Sequence, residues 1–449
     1  MQLNRNAFAL SLVVTSLAIA RAAHGRQAED PPPAAAPPAA DAPPPAAAPP
    51  AAEAPPAAEA PPAAEPPPPE GPPRPGASPG EAPPPGTSPI DVHLSSELAG
   101  YADTDHVFVV SPTIAGTLRN PTAGWNIDAR YLVDVVSAAS VDIVSTASRR
   151  WEEVRHVGSL GGLYKPGDFG IGANADVSIE PDYQSYTFSG SLQQDFLSKN
   201  LTALIGYEHG HDIAGRGDTP FSVFSRKIDH DAFKGGLTIV LDRATLLSVV
   251  GDVGFESGDS SKPYRYVPMF APGTNVPNGA SIDLVDQLRL PTRVLEQLPT
   301  HRNRYDMAGH LAHRFEHATL RASERLYTDS WGLRATTTDL RYIVDLGERV
   351  DLGPHLRFHA QSEVDFWQRA YVVPSSFVFP ALRTGDRELG PLLGITGGGS
   401  LRIAIGAMPK PRSWVLGLDL NVTETRYLDD IFVTNRLSAV GALSVEAEF

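Results

Sequence analysis

The sequence predicts an all-β protein: an antiparallel transmembrane β-barrel of about 16 strands, within a range of about 14 to 18, preceded by a disordered Pro/Ala-rich arm. Three observations predict this fold. Long segments alternate apolar and polar residues with a period of two. Aromatic side chains gather near the ends of these segments, and the connections between them are alternately short and long. The chain also ends in an alternating segment that closes on Phe449.

The first element in the chain is predicted to be an export signal over residues 1–22. A short polar start that carries Arg5 is followed by the apolar run Ala7–Ala20 and by small residues up to Ala22. This order is typical of a secretory signal peptide with an A-x-A cleavage site. The apolar run is shorter than the roughly 20 residues that a membrane-spanning helix needs.

The second element, residues 23–90, is predicted to be a disordered linker. Of the 43 Pro residues in the chain, 26 fall between Pro31 and Pro89, among Ala and occasional Glu. Such a segment has too little apolar surface to form a core, and its Pro residues favour a semi-rigid extended spacer. One interpretation is a periplasmic arm that contacts the cell wall or a partner. The other is a linker that has no binding partner.

The third element, residues 91–449, carries the alternation that predicts the barrel. Between Leu356 and Trp367, apolar residues alternate with Arg357, His359, Gln361, Glu363 and Asp365. A soluble sandwich also alternates, but these segments approach the roughly 9 to 11 residues with which a tilted strand spans lipid. The aromatic residues expected to form interfacial girdles are Trp125, Tyr164, Phe169, Tyr183, Tyr186, Tyr207, Trp331, Trp367, Trp414 and Tyr427.

The connections predict how the strands are joined. Seven short connections, the last near Met408–Arg412, and eight opposite connections join sixteen predicted strands. An even number places both barrel ends on the periplasmic side of an outer membrane. The longest connection, Gly258–His301, either folds inward and constricts the lumen or forms a surface contact.

Several phrases in the barrel segment resemble a bacterial outer-membrane barrel family that is catalogued as a conserved domain of unknown function. The resemblance covers most of Leu94–Phe449 and excludes the Pro/Ala-rich arm. It implies a barrel in the outer membrane and implies no activity. The phrases are Val110–Pro112, Tyr131–Asp134, Glu180–Tyr183, Gly206–Asp212 and Arg325–Gly332.

The last segment resembles the terminal strand by which outer-membrane barrels are recognised for assembly. Alternate residues from Leu437 to Phe449 form one apolar face, although Ala447 stands where Tyr is often found. The resemblance implies that Phe449 is an assembly signal. The expected partners are outer-membrane lipid and the barrel-assembly machinery.

Composition excludes several other classes of protein. The net charge of −15 argues against general nucleic-acid binding, because that binding depends on neutralising phosphates. The absence of Cys excludes a disulfide framework, a thiolate metal site and a lipid anchor on Cys. No cofactor and no metal site are predicted.

The predicted lumen faces carry both signs of charge. A passive pore for small polar solutes, crossed by a transverse field, is one hypothesis. The alternative is an ion-pair network that stiffens a non-conducting structural or surface-contact barrel. The lumen-lining candidates are Asp128, Arg130, Asp176, Glu180, Asp306, Arg314, Arg321, Arg325, Asp339, Arg341, Arg357, Glu363 and Asp365.

Two histidine clusters have residue types that suit a metal or an acid–base site. His209, His211 and Asp212 lie close in sequence, but alternation places the two His on the apolar face, as solvated rim residues. A second set has helical spacing and separates on a strand: His310, His313 and His317.

A third functional hypothesis is a hydrolase with its site at the barrel rim. Asp103, Asp105 and His106 are the residues that could contribute to it. No Ser–His constellation at a recognisable spacing supports such a site, so we predict that the protein is not an enzyme.

Overall fold

The computed structural model describes residues 90–138, 151–292, 294–374, 378–405 and 413–449. The predicted signal peptide, the arm before Ile90 and the connection Met408–Arg412 lie outside these residues. No helix within the described segments is both long enough and apolar enough to cross a membrane.

Sixteen antiparallel strands form one closed barrel, which confirms the predicted fold and strand number. Each strand pairs with its neighbours in sequence, and the last strand pairs with the first. The strands are β1 (Asp91–Asp103), β2 (Val107–Asn120), β3 (Trp125–Ala138), β4 (Trp151–Tyr164), β5 (Phe169–Ile179), β6 (Tyr183–Phe196), β7 (Leu201–Ala214), β8 (Arg226–Val240), β9 (Thr245–Gly258), β10 (His301–Arg314), β11 (Ala318–Asp329), β12 (Arg334–Asp345), β13 (Val350–Gln361), β14 (Leu392–Ile405), β15 (Ser413–Tyr427) and β16 (Asn435–Glu448).

The seam between β1 and β16 closes the barrel down to its last residue. The register runs from His93 opposite Glu448 to Asp103 opposite Ser438. Beyond it, the Phe449 amide donates to the Val92 carbonyl at 2.9 Å, and the Val92 amide donates to the Phe449 carbonyl at 3.2 Å. Closure leaves no unpaired sheet edge, which is the condition for placing β-strands in lipid.

The outer surface of the barrel is an apolar belt. Ile114, Phe188 and Ile205 are 60%, 60% and 61% exposed, and apolar residues continue at every second position on neighbouring strands. Apolar surface of this extent is unfavourable in water and is normal where strands contact hydrocarbon. The belt therefore defines the lipid-facing side, and the intervening residues face the lumen.

The two ends of the barrel differ. One end, here called the turn rim, holds the short connections and the termini of the barrel domain. The other end, the loop rim, holds the described connections 104–106, 180–182, 215–225, 259–300, 330–333, 362–391 and 428–434. In the described part of the chain the longest connections lie at the loop rim, as predicted, but this rim also holds the short connections 104–106 and 180–182.

One predicted strand was too long. β13 ends at Gln361, and the residues that continue the alternation to Trp367 belong to the β13–β14 loop. Val364 is completely buried there, beside Phe366 and Trp331, in a small apolar cluster. The alternation continues beyond the strand because the loop also buries every second side chain.

The predicted aromatic girdle is correct for only some residues. Tyr164 and Phe169 are about half exposed on the lipid-facing side. Trp331 and Tyr427 are instead 5% and 3% exposed at the loop rim. Both residues lie near a strand end, as predicted, but their rings are buried by loops and do not face lipid.

Candidate functional site

The lumen wall of the strands is charged. Register places these predicted residues on the face opposite the apolar belt: Asp128, Arg130, Asp176, Asp306, Arg314, Arg321, Arg325, Asp339, Arg341 and Arg357. Glu180 follows β5 in the connection to β6. Glu363 and Asp365 lie in the β13–β14 loop and not on a strand, so their predicted place in the strand wall is wrong.

Charges on the lumen wall pair between strands. Arg325 pairs with Asp306 on the adjacent strand. Lys234 lies 2.8 Å from Glu208, and Arg402 lies 2.7 Å from Glu446. The Arg325 side chain is nevertheless 54% exposed and that of Arg402 is 49% exposed. The lumen beside these strands is therefore wide enough to hold solvent.

The β9–β10 loop (residues 259–300) extends across the mouth of this lumen. The Gly279 amide donates to the Asp430 carbonyl at 3.0 Å, in the β15–β16 loop (residues 428–434). These two connections lie six strands apart in a ring of sixteen. This reach agrees with the expectation that the loop folds inward, and constriction of the lumen stays a prediction.

A small apolar core holds the loops together. Met269 and Phe270 are completely buried and pair in parallel with Tyr371 and Val372 of the β13–β14 loop (residues 362–391). Phe270 also packs in a cluster that includes Ile431 of the β15–β16 loop. The three loops form one packed unit, which we call the mouth cover.

The β13–β14 loop reaches the lumen face of the wall. Glu388 accepts a hydrogen bond from the Tyr427 hydroxyl at 2.9 Å and lies 3.4 Å from Arg436. Both partners lie on the lumen side of their strands. The next residue back, Arg387, lies 2.6 Å from Asp105 at the far side of the seam. The cover is thus bonded to the inner wall.

A buried ion network joins the two larger loops of the cover. Arg265 lies 2.6 Å from Asp386 and 3.4 Å from Glu296, and the Thr384 hydroxyl donates to Glu296 at 2.6 Å. Burial alone would raise the pKa of Asp386, but Arg265, the Glu388 amide and Lys262 together offset that effect, so the pKa is lowered. The sequence analysis missed this network because its members lie far apart in the chain.

A second buried network lies where β11 ends. Asp329 accepts hydrogen bonds from Arg302 Nε at 2.8 Å, from the Tyr327 hydroxyl at 2.9 Å and from the Trp331 amide at 2.9 Å. The Arg302 guanidinium also lies 4.3 Å above the Trp331 ring. The segment Arg325–Gly332 contains three of these four residues. In the sequence this segment indicates a family resemblance and does not predict the network.

The cluster His209–Asp212 divides between the two faces of β7. His209 contacts Asp231 at 3.0 Å and His211 contacts Asp229 at 2.6 Å, both on the lipid-facing side. Asp212 faces inward, where His230 lies 2.7 Å away. The three residues therefore do not form one site.

The second histidine set also separates. His310 contacts the Ser323 hydroxyl, and His313 contacts the Thr245 hydroxyl on the opposite face. His317 is in the turn after β10, where its side chain is 78% exposed.

The residues considered for a rim hydrolase stabilise the β1–β2 turn. Asp103 accepts hydrogen bonds from the amides of Asp105 and Val107, each at 2.9 Å. Asp105 is held by Arg387, and His106 adopts a left-handed backbone conformation with φ 62°. These contacts account for the residues as structural groups, and the expected lack of enzymatic activity stays a prediction.

A closed barrel with an apolar belt outside and a solvated, charged lumen inside defines a transmembrane β-barrel of the outer-membrane class. Residues 224–405 match the family described as protein of unknown function (DUF3570). This match confirms the resemblance to an outer-membrane barrel family of unknown function. A comparison with curated proteins finds no match.

Among solved structures, the chain is similar to CdiB from Acinetobacter baumannii, with 10% identity and a TM-score of 0.35. That alignment covers 81% of this chain and only 60% of CdiB. OccK5 (OpdH) from Pseudomonas aeruginosa aligns at 10% identity over 80% of this chain and 98% of its own, with a TM-score of 0.38. The outer membrane protein opdK from the same species aligns at 8% identity over 80% and 99%, with a TM-score of 0.38.

Proposed function

We propose that this protein is an outer-membrane channel through which small polar solutes pass passively, with a mouth narrowed by the mouth cover. The contrast between lumen and mouth carries the proposal. Lumen side chains such as Arg325 and Arg402 stay about half exposed, whereas Phe270 and Tyr371 in the cover are 0% and 1% exposed. A solvated lumen beneath a packed cover suits small solutes better than large ones.

The charge arrangement supports polar solutes of low net charge. Arginine or lysine side chains pair with carboxylates along the wall, so positive and negative groups lie within a few ångströms of each other. A passing solute then meets donors and acceptors that replace part of its hydration shell. Since both signs are present, we expect weak selectivity between cations and anions.

The location and assembly of the channel are part of the same proposal. The barrel would lie in the outer membrane, with residues 23–90 in the periplasm and Phe449 read by the assembly machinery. The position of Phe449 supports this, because it pairs with Val92 at the seam and its ring contacts Trp414 with centroids 6.3 Å apart. An assembly signal on an outward-facing terminal strand is accessible during membrane insertion.

The proposal is tested by measuring the conductance of the full chain in planar lipid bilayers, after heat-modifiable mobility on a gel has shown that the barrel is folded. Discrete conductance steps are expected, and Arg325→Gln should shift the reversal potential in a salt gradient toward cations. Arg426→Gln is the matched control, because Arg426 is 66% exposed on the outer face. It should leave the reversal potential unchanged.

A folded barrel that carries no current would overturn the channel. The buried mouth cover favours a second function in that case, a non-conducting surface-contact barrel in which the cover is the contact surface. Conductance that is identical in wild type and Arg325→Gln would show that solutes do not pass along this wall.

A further inference from the structure

Three carboxylates meet at the loop rim, on a part of the wall that the channel proposal does not use. Glu153 is near the start of β4, and Glu180 and Asp182 lie in the β5–β6 connection. One oxygen from each lies within 4.8 Å of the other two. Oxygens that share one Ca²⁺ can be up to about 5 Å apart, because each is bonded at about 2.3–2.6 Å.

Two of these carboxylates are buried, and each has one oxygen without a hydrogen-bond partner. Glu153 and Asp182 are each 8% exposed, and neither Glu153 Oε2 nor Asp182 Oδ1 has a hydrogen-bond partner among the described residues. Leaving a buried charged oxygen unpaired is costly. Both atoms belong to the same three-carboxylate group, so one ligand would satisfy them together.

The neighbouring cations do not neutralise this group. Arg155 donates to Asp134 at 2.8 Å, and its closest atom to Glu180 is 3.8 Å away. Lys262 is near enough to influence Glu180 and Asp182, but burial dominates and raises the pKa of both carboxyls. Burial therefore penalises the charged form of these carboxyls, and a bound cation would offset that penalty.

Other buried carboxylates at this rim are different. Within the described part of the chain, Asp134 contacts Arg155, Glu256 contacts Arg304 at 2.5 Å, and Asp329 contacts Arg302 at 2.5 Å. The cluster of Glu153, Glu180 and Asp182 thus differs from its neighbours, because its ion pair among the described residues is the long Arg155–Glu180 contact.

We propose that Glu153, Glu180 and Asp182 bind a Ca²⁺ ion at the loop rim. An all-oxygen, carboxylate-rich set suits a hard cation, and the absence of His and Cys from the set disfavours Zn²⁺. Ca²⁺ accepts irregular coordination completed by water, whereas Mg²⁺ demands near-octahedral geometry. The proposal does not depend on channel activity.

Binding at this site would reach the mouth cover through two contacts. The Gly215 amide donates to the Asp182 carbonyl at 2.7 Å, which joins the β5–β6 connection to the β7–β8 connection. In that second connection, the Gly217 amide donates to the Tyr264 hydroxyl of the β9–β10 loop. The ion would therefore stabilise the end of the loop that covers the lumen.

The direct test is calorimetric titration of the full-length folded protein in lipid-free detergent with CaCl₂, after treatment with a chelator. One Ca²⁺ per chain should bind, and MgCl₂ should bind at least about tenfold more weakly. Glu153→Gln and Asp182→Asn should each weaken Ca²⁺ binding by at least about tenfold. Even the loss of a group that only hydrogen-bonds to a metal ligand lowers metal affinity by about 10–100-fold. Glu256→Gln is the matched control, because Glu256 is equally buried at 8% and is paired with Arg304.

Unfolding by denaturant provides a second test. The effect of Glu153→Gln on the unfolding midpoint should have opposite signs in chelator and in Ca²⁺. In chelator, Glu153→Gln should unfold at a higher denaturant concentration than wild type, because the change removes like-charge repulsion. In Ca²⁺, the same variant should unfold at a lower concentration than wild type. If wild type neither binds Ca²⁺ nor changes its unfolding midpoint, the proposal is wrong and the carboxyls share a proton instead. If either variant fails to fold, the wild-type titration still decides.

Discussion

Asp430 and Asn278 are joined across the mouth of the barrel. The Asp430 amide donates to Asn278 Oδ1 at 3.0 Å, and Asn278 Nδ2 donates to the Leu428 carbonyl at 3.3 Å. Asp430 is itself 5% exposed, and its carboxylate accepts the Val433 amide at 2.7 Å. One rigid turn of the β15–β16 loop therefore holds the far end of the β9–β10 loop in place.

Asn278→Ala should loosen the mouth cover. The change removes two hydrogen bonds, each worth about 1 kcal/mol, which is enough to increase the displaced state of the loop several-fold. We expect more frequent or larger openings in single-channel recordings of the full chain. Asn275→Ala, at an exposed position in the same loop, should behave as wild type. Equal recordings from both variants would show that this contact does not hold the cover.

Asp329→Asn should strongly destabilise the barrel. The Asp329 side chain is fully buried and pairs with Arg302 at 2.5 Å, so the variant leaves a buried guanidinium without a counter-charge. Losing one partner of such a pair costs about 3–5 kcal/mol in the free energy of unfolding. Asp286→Asn, which breaks the exposed pair with Arg289, should cost about 0–1 kcal/mol. Denaturant titration of both variants compares them, and similar losses would contradict the role given to Asp329.

Asp386→Asn should change stability in a way that depends on pH. The pKa of Asp386 is lowered in the fold, because Arg265, the Glu388 amide and Lys262 together outweigh the effect of burial. Stability from such a group is present above its unfolded pKa of about 3.9 and is lost as pH falls through the lower folded value. Wild type should therefore be more stable than the variant at neutral pH, and the two should converge below about pH 4. Unfolding midpoints across this range test the prediction, and a constant difference would refute it.

Gly332→Ala should disturb the turn that follows β11. Gly332 has φ 91°, and an added Cβ would lie 2.1 Å from Asp365 Oδ1. Forcing a side chain into such backbone geometry costs about 1–3 kcal/mol, apart from the clash. Gly397→Ala is the control, because a Cβ there meets nothing within 4 Å. Gly332→Ala should lower the free energy of unfolding more than Gly397→Ala does. A larger loss for Gly397→Ala would contradict the strain expected at position 332.

Sequence reasoning succeeded where the physical constraint is local. Leu416, Leu418 and Leu420 alternate with polar residues because a strand sends successive side chains to opposite faces. That pattern, with spans near membrane thickness and turns at regular intervals, was sufficient to predict sixteen strands and the lumen face of Arg325. The signal peptide and the linker stay predictions.

The same reasoning failed where distant segments meet. Val364 and Phe366 look like strand residues in sequence, and their packing against Trp331 depends on a different part of the chain. Glu363 and Asp365 were misplaced for the same reason. The network of Arg265, Glu296 and Asp386 has no local pattern by which it could be found.

The sequence by itself determined a β-barrel of about sixteen strands with two chemically different faces, because alternation and span length act residue by residue. Only the tertiary structure decided that the β9–β10 loop covers the lumen, and that Glu153 meets Asp182 without a donor. Those outcomes depend on loop packing and on charges brought together from separate strands. The free energies of these contacts depend on residues that are far apart in the chain, so no short stretch of sequence predicts them.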